Sequence, residues 1–597
     1  MNFHHDIRYN PLQLETAKFI SEDSNLVILA PTSAGKTIVG EQFIFSSLEA
    51  GKKAIYLSPL KALTEEKKRA WEKLPYSMLV CTGDYGQATS FAAQLVLMTT
   101  EALDSKTRGA KDWLKKVGCI VVDEAHLLGL TGRGDALEVG LIRFSQINPQ
   151  ARLILMSATI PNAQELANWL HRLNGKPSCV VESDYRPVEQ EHFFIPCGGQ
   201  EWAVNQKVAE MVKYCKQIYP GQQILVFVHS VGKGQSISRE LMCPFHYSKL
   251  SKDKKFALEE AFTQKKVSTL VATSTLAYGV NLPADIVIIA GANRGPDRVD
   301  SWDLKQMAGR AGRYGLSDRG YVYYVMKETY IEDVQDELLN IHPVASVIAD
   351  RLYFHLCSFI YREHMQLKEI DEFLFKAFQW PVDIMPHLNT LRDLEIIYER
   401  TDGKLDVSSV GRAAALMYLN PIDLYTLRNN LISQPNTPRE IAIAFSNLPC
   451  YDIPCHVADD VKNYLVDLGV GMKTLHASCL NQWLSGRELG VTASIIVPRL
   501  TSDIPRWLSG LTIAGMNKDY IKSLEVRFAY GVTENMTELL AIPGLGRKRA
   551  MELSAHRIYN LKEALAKKEV TQRIVGKTVM ERISDKVLKP NRVVLRF

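Results

Sequence analysis

The stretch Asn25-Leu-Val-Ile-Leu-Ala-Pro-Thr-Ser-Ala-Gly-Lys-Thr37 decides the fold of the N-terminal part of this 597-residue chain. Its apolar half is typical of a buried strand, and the amphipathic residues after Thr37 predict a helix. The small residues between them predict a loop whose backbone N–H groups surround phosphate oxygens at a helix N-terminus. In such a loop Lys36 reaches the β- and γ-phosphates, and the Thr37 hydroxyl can hold Mg²⁺. Ala30 replaces the first glycine of the general pattern, which leaves a plain strand-to-helix turn as the alternative.

A second buried strand, Cys119–Val122, ends in the acidic sequence Asp123-Glu-Ala-His126. The carboxyl end of a parallel strand opens on the ligand crevice of an α/β sheet, so Asp123 can hold Mg²⁺ there through water. Glu124 would then orient and deprotonate an attacking water molecule. An isolated acidic tetrapeptide is often only an exposed turn, but here it follows a phosphate loop, which favours the catalytic interpretation.

Composition excludes several classes of protein. Hydrophobic residues make up 46% and charged residues 23% of the chain, which is typical of a globular protein rather than a disordered one. No apolar run is long enough for a membrane span, and the ten cysteines include no CxxC pair. We therefore expect a cytoplasmic protein, nucleoid-associated if bacterial or archaeal, with no membrane partner and no zinc or iron–sulfur cluster.

The order of eight segments resembles the superfamily-two DExH helicases over about residues 1–330. The segments SATIP, GVNLPA and QMAGRAGR are similar to the Ski-two-like branch, and the whole chain is most similar to HelQ-type DNA helicases of that branch. Eight ordered motifs do not coincide by chance, so the resemblance is specific. The segments are APTSAGKT (30–37), SPLKAL (58–63), MTTEAL (98–103), DEAH (123–126), SATIPNAQELANWL (157–170), LVFVHS (225–230), VATSTLAYGVNLPA (271–284) and QMAGRAGR (306–313).

The resemblance implies two RecA-like parallel-sheet motor domains with ATP between them. Gln13 would read the adenine edge. Arg310 and Arg313 would cross from the second domain to the γ-phosphate, where a guanidinium stabilises the charge of a loose transition state only when the domains close. The other ATP-site residues that it implies are Thr32, Ser33, Ala34 and Gly35 of the loop, the catalytic residues His126 and Gln306, the coupling residues Ser157 and Thr159, and Gly279 and Asn281 of the second domain.

The same resemblance implies how a nucleic-acid strand is held. Hydroxyls and main-chain amides of three loops would hold the sugar-phosphate backbone without reading its sequence. The grip would alternate between the domains as ATP opens and closes the cleft, and the family direction is three-prime to five-prime. The implied contact residues are Pro59, Lys61, Thr99, Thr100, Thr273, Ser274 and Thr275.

Residues 344–420 predict a helix over Val344–Ile360, a second helix near Pro386, and a strand tip followed by a helix from Leu405. This pattern is similar to the winged-helix domain that braces the two motor domains in the Ski-two-like branch. A winged helix that reads DNA is the alternative.

Residues 421–533 are mostly helical by pattern. Arg499 and Trp507 resemble the pair on the ratchet helix of HelQ-type helicases, which touches passing bases. Stacking of a base on an aromatic ring contributes about 1–3 kcal/mol and tolerates any sequence, so it suits translocation. A core Trp on an amphipathic helix is the alternative, and Pro505 should kink or break the helix.

The basic charge of the chain is concentrated in its C-terminal tail. Residues 541–597 contain 14 Lys and Arg against 5 Asp and Glu, a net charge of +9, whereas the whole chain carries only +5. Within the tail, Gly544-Leu-Gly546 lies between two helical segments and resembles a helix-hairpin-helix, a sequence-independent binder of DNA backbones. Arg547 and Lys548 add charge at that turn. A structural corner with a solvated surface is the alternative.

The segment Asp285–Lys305 departs from the family pattern. Family members split duplexes with a β-hairpin at this place, and here the interval offers only a turn at Arg294-Gly-Pro-Asp297. Because each base-pair step costs about 1.4 kcal/mol to separate, a short hairpin would limit unwinding while it leaves ATP-driven translocation intact.

Together these segments predict an α/β protein of five domains. They are two RecA-like domains (1–195 and 196–343), a winged helix (344–420), a helical ratchet domain (421–533) and a helix-hairpin-helix tail (534–597). The predicted function is an ATP- and Mg²⁺-dependent helicase that moves three-prime to five-prime on single-stranded or forked DNA. One alternative is an RNA helicase of the same branch. Another is a DNA-damage or end sensor whose ATPase controls a separate partner nuclease, as in the antiphage system Hachiman.

Overall fold

The computed structural model describes residues 9–58, 61–82, 92–109, 112–158, 160–198, 201–248, 250–274, 276, 282–294, 297–313, 317–340, 342–380, 382–446, 448 and 472–588. The chain forms two compact units. The first contains Met1–Arg351 and Glu372–Val382, and the second contains Leu352–Asp371 and Asp383–Phe597. None of the helices within these described ranges is long and apolar enough to span a membrane.

A seven-stranded sheet with only parallel pairings organises the first domain. Its strands are β1 (Asn25–Leu29), β2 (Lys53–Leu57), β3 (Met78–Cys81), β4 (Leu95–Met98), β5 (Val117–Val122), β6 (Arg152–Ser157) and β7 (Ser178–Glu182), in the spatial order β3-β4-β2-β5-β6-β1-β7. The helices are Pro11–Ala17, Lys36–Glu49, Lys61–Ala70, Thr100–Thr107, Gly134–Ile147 and Ala163–Asn174. β1 and β5 are continuous runs of buried residues, as is typical of parallel strands covered by helices. Only β6 separates them, so their carboxyl ends open on one crevice.

A six-stranded parallel sheet organises the second domain. Its strands are β8 (Glu189–Cys197), β9 (Ile224–Val228), β10 (Phe245–His246), β11 (Thr269–Thr273), β12 (Ile286–Ala290) and β15 (Arg319–Lys327), in the order β10-β11-β9-β12-β15-β8. The helices are Glu201–Ile218, Val231–Glu240, Lys252–Thr263, Ser301–Ala308 and Ile331–Leu339, and β13 (Asn293–Arg294) with β14 (Asp297–Arg298) forms a separate hairpin. The predicted pair of RecA-like parallel-sheet domains is confirmed. Because β8 pairs with β15, the second domain begins by Glu189, not at residue 196.

The segment after the second domain is hydrogen-bonded to the first domain and has no regular secondary structure over residues 342–348, so the helix predicted over Val344–Ile360 is wrong in its first part. Asn162 exchanges two hydrogen bonds with the main chain of Val344, at 2.9 and 3.0 Å. The buried Glu138 carboxylate accepts hydrogen bonds from Ser346 Oγ (2.8 Å) and Phe378 N (2.5 Å). These tertiary bonds replace helical ones, and the helix begins only at Leu352.

Where the second unit is described, its regular structure is helical apart from one antiparallel pair, β16 (Ile397–Glu399) and β17 (Leu405–Val407). The strand tip and helix predicted from Leu405 are present, since β17 leads into the helix Ser409–Met417. The chain passes between the units within the helix Leu367–Leu374. The helices are Leu352–Glu363, Met385–Asp393, Ser409–Met417, Pro421–Leu431, Pro438–Ser446, Met472–Leu484, Val491–Leu500, Ile504–Ile513, Lys518–Tyr530, Thr537–Leu540, Arg547–Ala555, Leu561–Ala566, Lys568–Val575 and Lys577–Leu588.

Candidate active site

The loop after β1 has the backbone shape of a phosphate cradle. Ser33 and Gly35 have φ angles of 72° and 85°, in the left-handed region. A Cβ atom on Gly35 would lie 2.5 Å from Gln13 Nε2 and would displace that amide, and the positive φ itself favours glycine there. The Lys36 ammonium donates to the carbonyl oxygens of Ala30 (2.7 Å) and Pro31 (3.0 Å). Burial lowers the pKa of Lys36, and the nearby charges of Glu124 and Asp123 oppose that shift.

The helix Pro11–Ala17 is tied to this loop. Asn10 and Gln13 form a capping box, in which each side chain accepts a hydrogen bond from the other residue's backbone N–H. Asn10 Nδ2 also donates to Ala34 O at 2.9 Å, and Gln13 Nε2 donates to Gly35 O at 3.4 Å. The predicted adenine-reading residue is therefore held at the edge of the loop, and its contact with a base stays a prediction.

The acidic motif follows β5 and faces the same crevice. The Asp123 carboxylate accepts a hydrogen bond from the Tyr56 hydroxyl, and burial, with the Glu124 charge, raises the pKa of Asp123. Glu124 has a φ of 55°, and its Oε1 accepts a hydrogen bond from Gln306 Nε2 of the second domain at 2.9 Å. Tyr56 was not predicted from the sequence, because it lies on β2, which carries no motif of its own.

His126 links the acidic motif to the end of β6. Its Nδ1 lies 3.1 Å from Ser157 Oγ, the residue predicted to couple nucleotide state to domain position. Its ring stacks on Trp302 of the second domain with centroids 4.4 Å apart. Burial lowers the pKa of His126 to about 4, so the ring is neutral near pH 7 and acts here as a bridge between elements.

The predicted magnesium ligands fit a divalent cation. Thr37 Oγ1 accepts a hydrogen bond from the Lys67 ammonium at 3.2 Å, and the Lys67 charge opposes the rise in the pKa of Asp123 that burial causes. A positive group thus lies beside both residues that the sequence assigned to Mg²⁺. A hydroxyl and a carboxylate are the oxygen ligands that magnesium uses in phosphoryl-transfer sites.

The second domain approaches the phosphate loop closely at Gly309. Ser33 Oγ donates to Gly309 O at 3.2 Å. A Cβ atom on Gly309 would lie 2.5 Å from Thr32 Cβ, so only glycine allows this approach. With the bond from Gln306 to Glu124, these contacts join the two halves of one site.

The two predicted arginines have different surroundings. Arg310 lies near Glu66 and Glu124 of the first domain. Burial lowers the pKa of Arg310, and the charges of these two carboxylates oppose that shift. Arg313 instead lies over the Phe262 ring, with its guanidinium carbon 5.7 Å from the centroid. It is 5% exposed, and its charged neighbour is Asp285 of its own domain. In this structure Arg313 packs against its own domain, and its contact with the γ-phosphate stays a prediction.

The predicted backbone-gripping residues are only partly open to a ligand. Thr99 caps the helix Thr100–Thr107, and the side chains of Thr99, Thr100 and Thr273 are buried, so hydroxyl contacts at these three positions lack support. Ser274 is partly exposed, and Lys61 begins the helix Lys61–Ala70. Pro59, Thr159, Thr275, Gly279 and Asn281 lie outside the described residues.

The proposed ratchet pair lies on two helices rather than one. Arg499 is exposed near the end of Val491–Leu500, and Trp507 lies in Ile504–Ile513, with Pro505 in that helix's first turn. The expectation that both residues lie on one ratchet helix is therefore wrong. Trp507 is only 2% exposed, and its Nε1 donates to Asp503 Oδ2 at 3.1 Å, so it is a core residue in this structure.

We expect Trp507→Ala to lower the free energy of unfolding by about 3–5 kcal/mol, because it removes a buried indole and its hydrogen bond. Arg499→Ala is the matched control at an exposed position and should change stability by less than about 0.5 kcal/mol. Chemical denaturation of the full chain measures both. A Trp507→Ala variant as stable as the parent, but slower in strand separation, would restore the ratchet interpretation.

The C-terminal hairpin has the predicted helix-turn-helix course. Gly544 has a φ of 91°, and Gly546 precedes the helix Arg547–Ala555. Arg547 is engaged within the fold: its guanidinium donates to Tyr530 O at 3.2 Å and lies 4.2 Å from the centroid of the Trp483 ring. Lys548, in contrast, is exposed. Contact of this turn with a nucleic-acid backbone stays a prediction.

Comparisons with known proteins agree with the geometry. Residues 10–166 match the DEAD/DEAH box helicase family model, and residues 206–315 match the helicase conserved C-terminal domain. The chain is 26% identical to the ATP-dependent DNA helicase Hel308 of Thermoplasma acidophilum, over 89% of this chain and 88% of the relative. It is 27% identical to the ATP-dependent DNA helicase Hel308 of Pyrococcus abyssi, over 91% and 88% of the two chains.

Proposed function

The chain is an ATP-dependent helicase that is similar to the Ski-two-like branch of superfamily two, and we propose that it moves along single-stranded DNA and unwinds forks or partial duplexes. The observation that carries this proposal is the hydrogen bond between Gln306 of the second domain and Glu124 of the first. It ties the group that would activate water to the opposite domain. Chemistry and domain movement are then coupled.

The residues of the site divide the work of ATP hydrolysis. Lys36 and the loop around it would bind the β- and γ-phosphates, and Gln13 would orient the base. Glu124 would accept a proton from the attacking water, while Arg310 would stabilise the charge on the equatorial oxygens. Thr37 and Asp123 would hold Mg²⁺, which when bound neutralises charge on the phosphate oxygens.

DNA is the substrate that the observations favour. The relatives that cover nine-tenths of this chain are named DNA helicases, and a match of that extent must include most of the second unit. The C-terminal hairpin lies in a segment with a net charge of +9, and such charge binds phosphate backbones regardless of sequence. We infer the three-prime to five-prime direction from the same relationship.

We expect single-stranded DNA to stimulate ATP hydrolysis at least about tenfold more than RNA of the same sequence, because the relatives that match nine-tenths of this chain are named DNA helicases. The experiment compares both ligands at equal ionic strength, since salt alone changes such binding. Beside it, strand separation is measured on duplexes with three-prime or five-prime tails. The Lys36→Ala variant, which loses the phosphate-binding ammonium, is the control for contaminating ATPases.

Stimulation by RNA alone would contradict the proposal that DNA is the substrate. Separation of only the five-prime tailed duplex would contradict the proposed three-prime to five-prime direction. Stimulation by DNA without separation of either duplex would leave a translocase or sensor rather than a helicase.

A further inference from the structure

Gln190 binds the segment that carries Arg310. It is the second residue of β8, and its Nε2 donates to Ala308 O (3.0 Å) and to Ala311 O (2.6 Å). These two carbonyl groups lie on either side of Arg310 in the chain. One amide group thus spans the turn from which the guanidinium extends.

Arg186 fixes the orientation of that amide. Its guanidinium donates to Gln190 Oε1. Because a guanidinium has donors but no acceptor, the amide oxygen must face Arg186, and the NH₂ group must then face the two carbonyl groups. Arg186 lies between β7 and β8, where the chain crosses from the first domain to the second. Its charge also reaches Lys36 in the phosphate loop.

The same turn is held independently on its other side. Ala284 N donates to Arg310 O at 2.9 Å, and Gly312 N donates to Ala284 O at 2.8 Å. Loss of the Gln190 amide would therefore release one side of the turn and leave the other attached. The expected consequence is a displaced arginine in a folded domain.

We propose that Gln190, oriented by Arg186, is a positioning residue that sets the place of Arg310 at the γ-phosphate. The proposal rests on the proposed function, in which Arg310 stabilises the transition state. It connects the inter-domain crossing directly to the arginine turn. A displacement of about 1 Å in a catalytic group can cost about a hundredfold in rate, so a single amide can matter here.

The test is steady-state ATP hydrolysis by the full chain with saturating single-stranded DNA. Gln190→Leu keeps the approximate size of the side chain and removes its donors and acceptor. We expect kcat to fall about tenfold while the KM for ATP changes less than about twofold, because only transition-state contacts are lost. The kcat of the Gln190→Glu variant should fall at least as far, since its carboxylate oxygens repel the two carbonyl groups. Glu191→Gln is the control on the same strand, because it removes only a partly exposed ion pair with Arg319.

A double-mutant cycle separates positioning from general structural support. In an Arg310→Lys background, Gln190→Leu should lower the residual kcat less than about twofold, since the group that it positions is already altered. A tenfold fall in both backgrounds, an unchanged kcat in the single variant, or a raised KM with unchanged kcat would each overturn the inference. Normal turnover in the Arg310→Lys variant itself would contradict the proposed function. The Gln190→Leu variant alone tests only the positioning inference, so the two failures can be told apart.

Discussion

Replacing Arg310 by Ala is expected to lower the kcat for ATP hydrolysis by about 10³-fold or more, the range typical of an arginine supplied across a domain interface. The physical reason is that the charges of Glu66 and Glu124 of the first domain act on Arg310. Arg310 is thus near the carboxylate that would activate water, on the side of the site where the γ-phosphate is expected. Binding of ATP should weaken by less than about threefold, because the ground state carries less charge at that position. Single-turnover hydrolysis and equilibrium ATP binding measure the two effects separately.

Arg313→Ala is the matched control for this experiment. Its guanidinium packs over Phe262 and faces the interior of the second domain. We expect it to lower the melting temperature of the protein, with a much smaller loss of kcat in the fraction that remains folded. The reverse result, in which Arg313→Ala abolishes turnover and Arg310→Ala does not, would show that the two arginines have been assigned the wrong way round.

Replacing Glu124 by Gln is expected to lower kcat by about 10³-fold, within the range for loss of a general base. Glutamine has the same shape and can still accept the hydrogen bond from Gln306, so the contact between the domains should persist. ATP binding and DNA binding are therefore expected to stay near the parent values. The rate of phosphate release in a single turnover measures the chemical step directly.

An Asp123→Asn variant provides the comparison. Asp123 would hold the metal rather than activate water, so its substitution should shift the Mg²⁺ concentration needed for half-maximal turnover. If Glu124→Gln shifted the Mg²⁺ concentration needed for half-maximal turnover instead, or retained normal turnover, the assignment of roles to the two neighbouring carboxylates would be wrong.

The parts of this site that the sequence predicts are those whose geometry is local. The phosphate loop and the acidic motif each follow a buried strand directly, so strand, loop and helix are readable from about a dozen neighbouring residues. Tyr56 and Lys67 could not be found this way. Parallel pairing of β2 with β5 brings Tyr56 to Asp123, and that pairing joins residues more than sixty positions apart in sequence.

A helix ends close to each of two residue pairs that the sequence analysis grouped together, Arg310 with Arg313 and Arg499 with Trp507. The helix Ser301–Ala308 stops before Arg310, and Gly312, with a φ of 91°, turns the chain so that the two arginines diverge. In the same way, the chain leaves helical geometry between Leu500 and Ile504, so Arg499 and Trp507 belong to two helices. Helical spacing predicts neighbours only while the helix continues.

The hairpin formed by β13 and β14 has strands of only two residues each. At roughly 3.3 Å per residue, the two paired residues of each strand span about 7 Å, which is close to the rise of two base pairs. A hairpin this short would not force apart the base pairs of a duplex junction in contact with it. Strand separation would instead follow spontaneous fraying of the fork, with the motor capturing each base as it became free. The speed of opening would then depend steeply on G·C content, while the speed of travel on a bare strand would not.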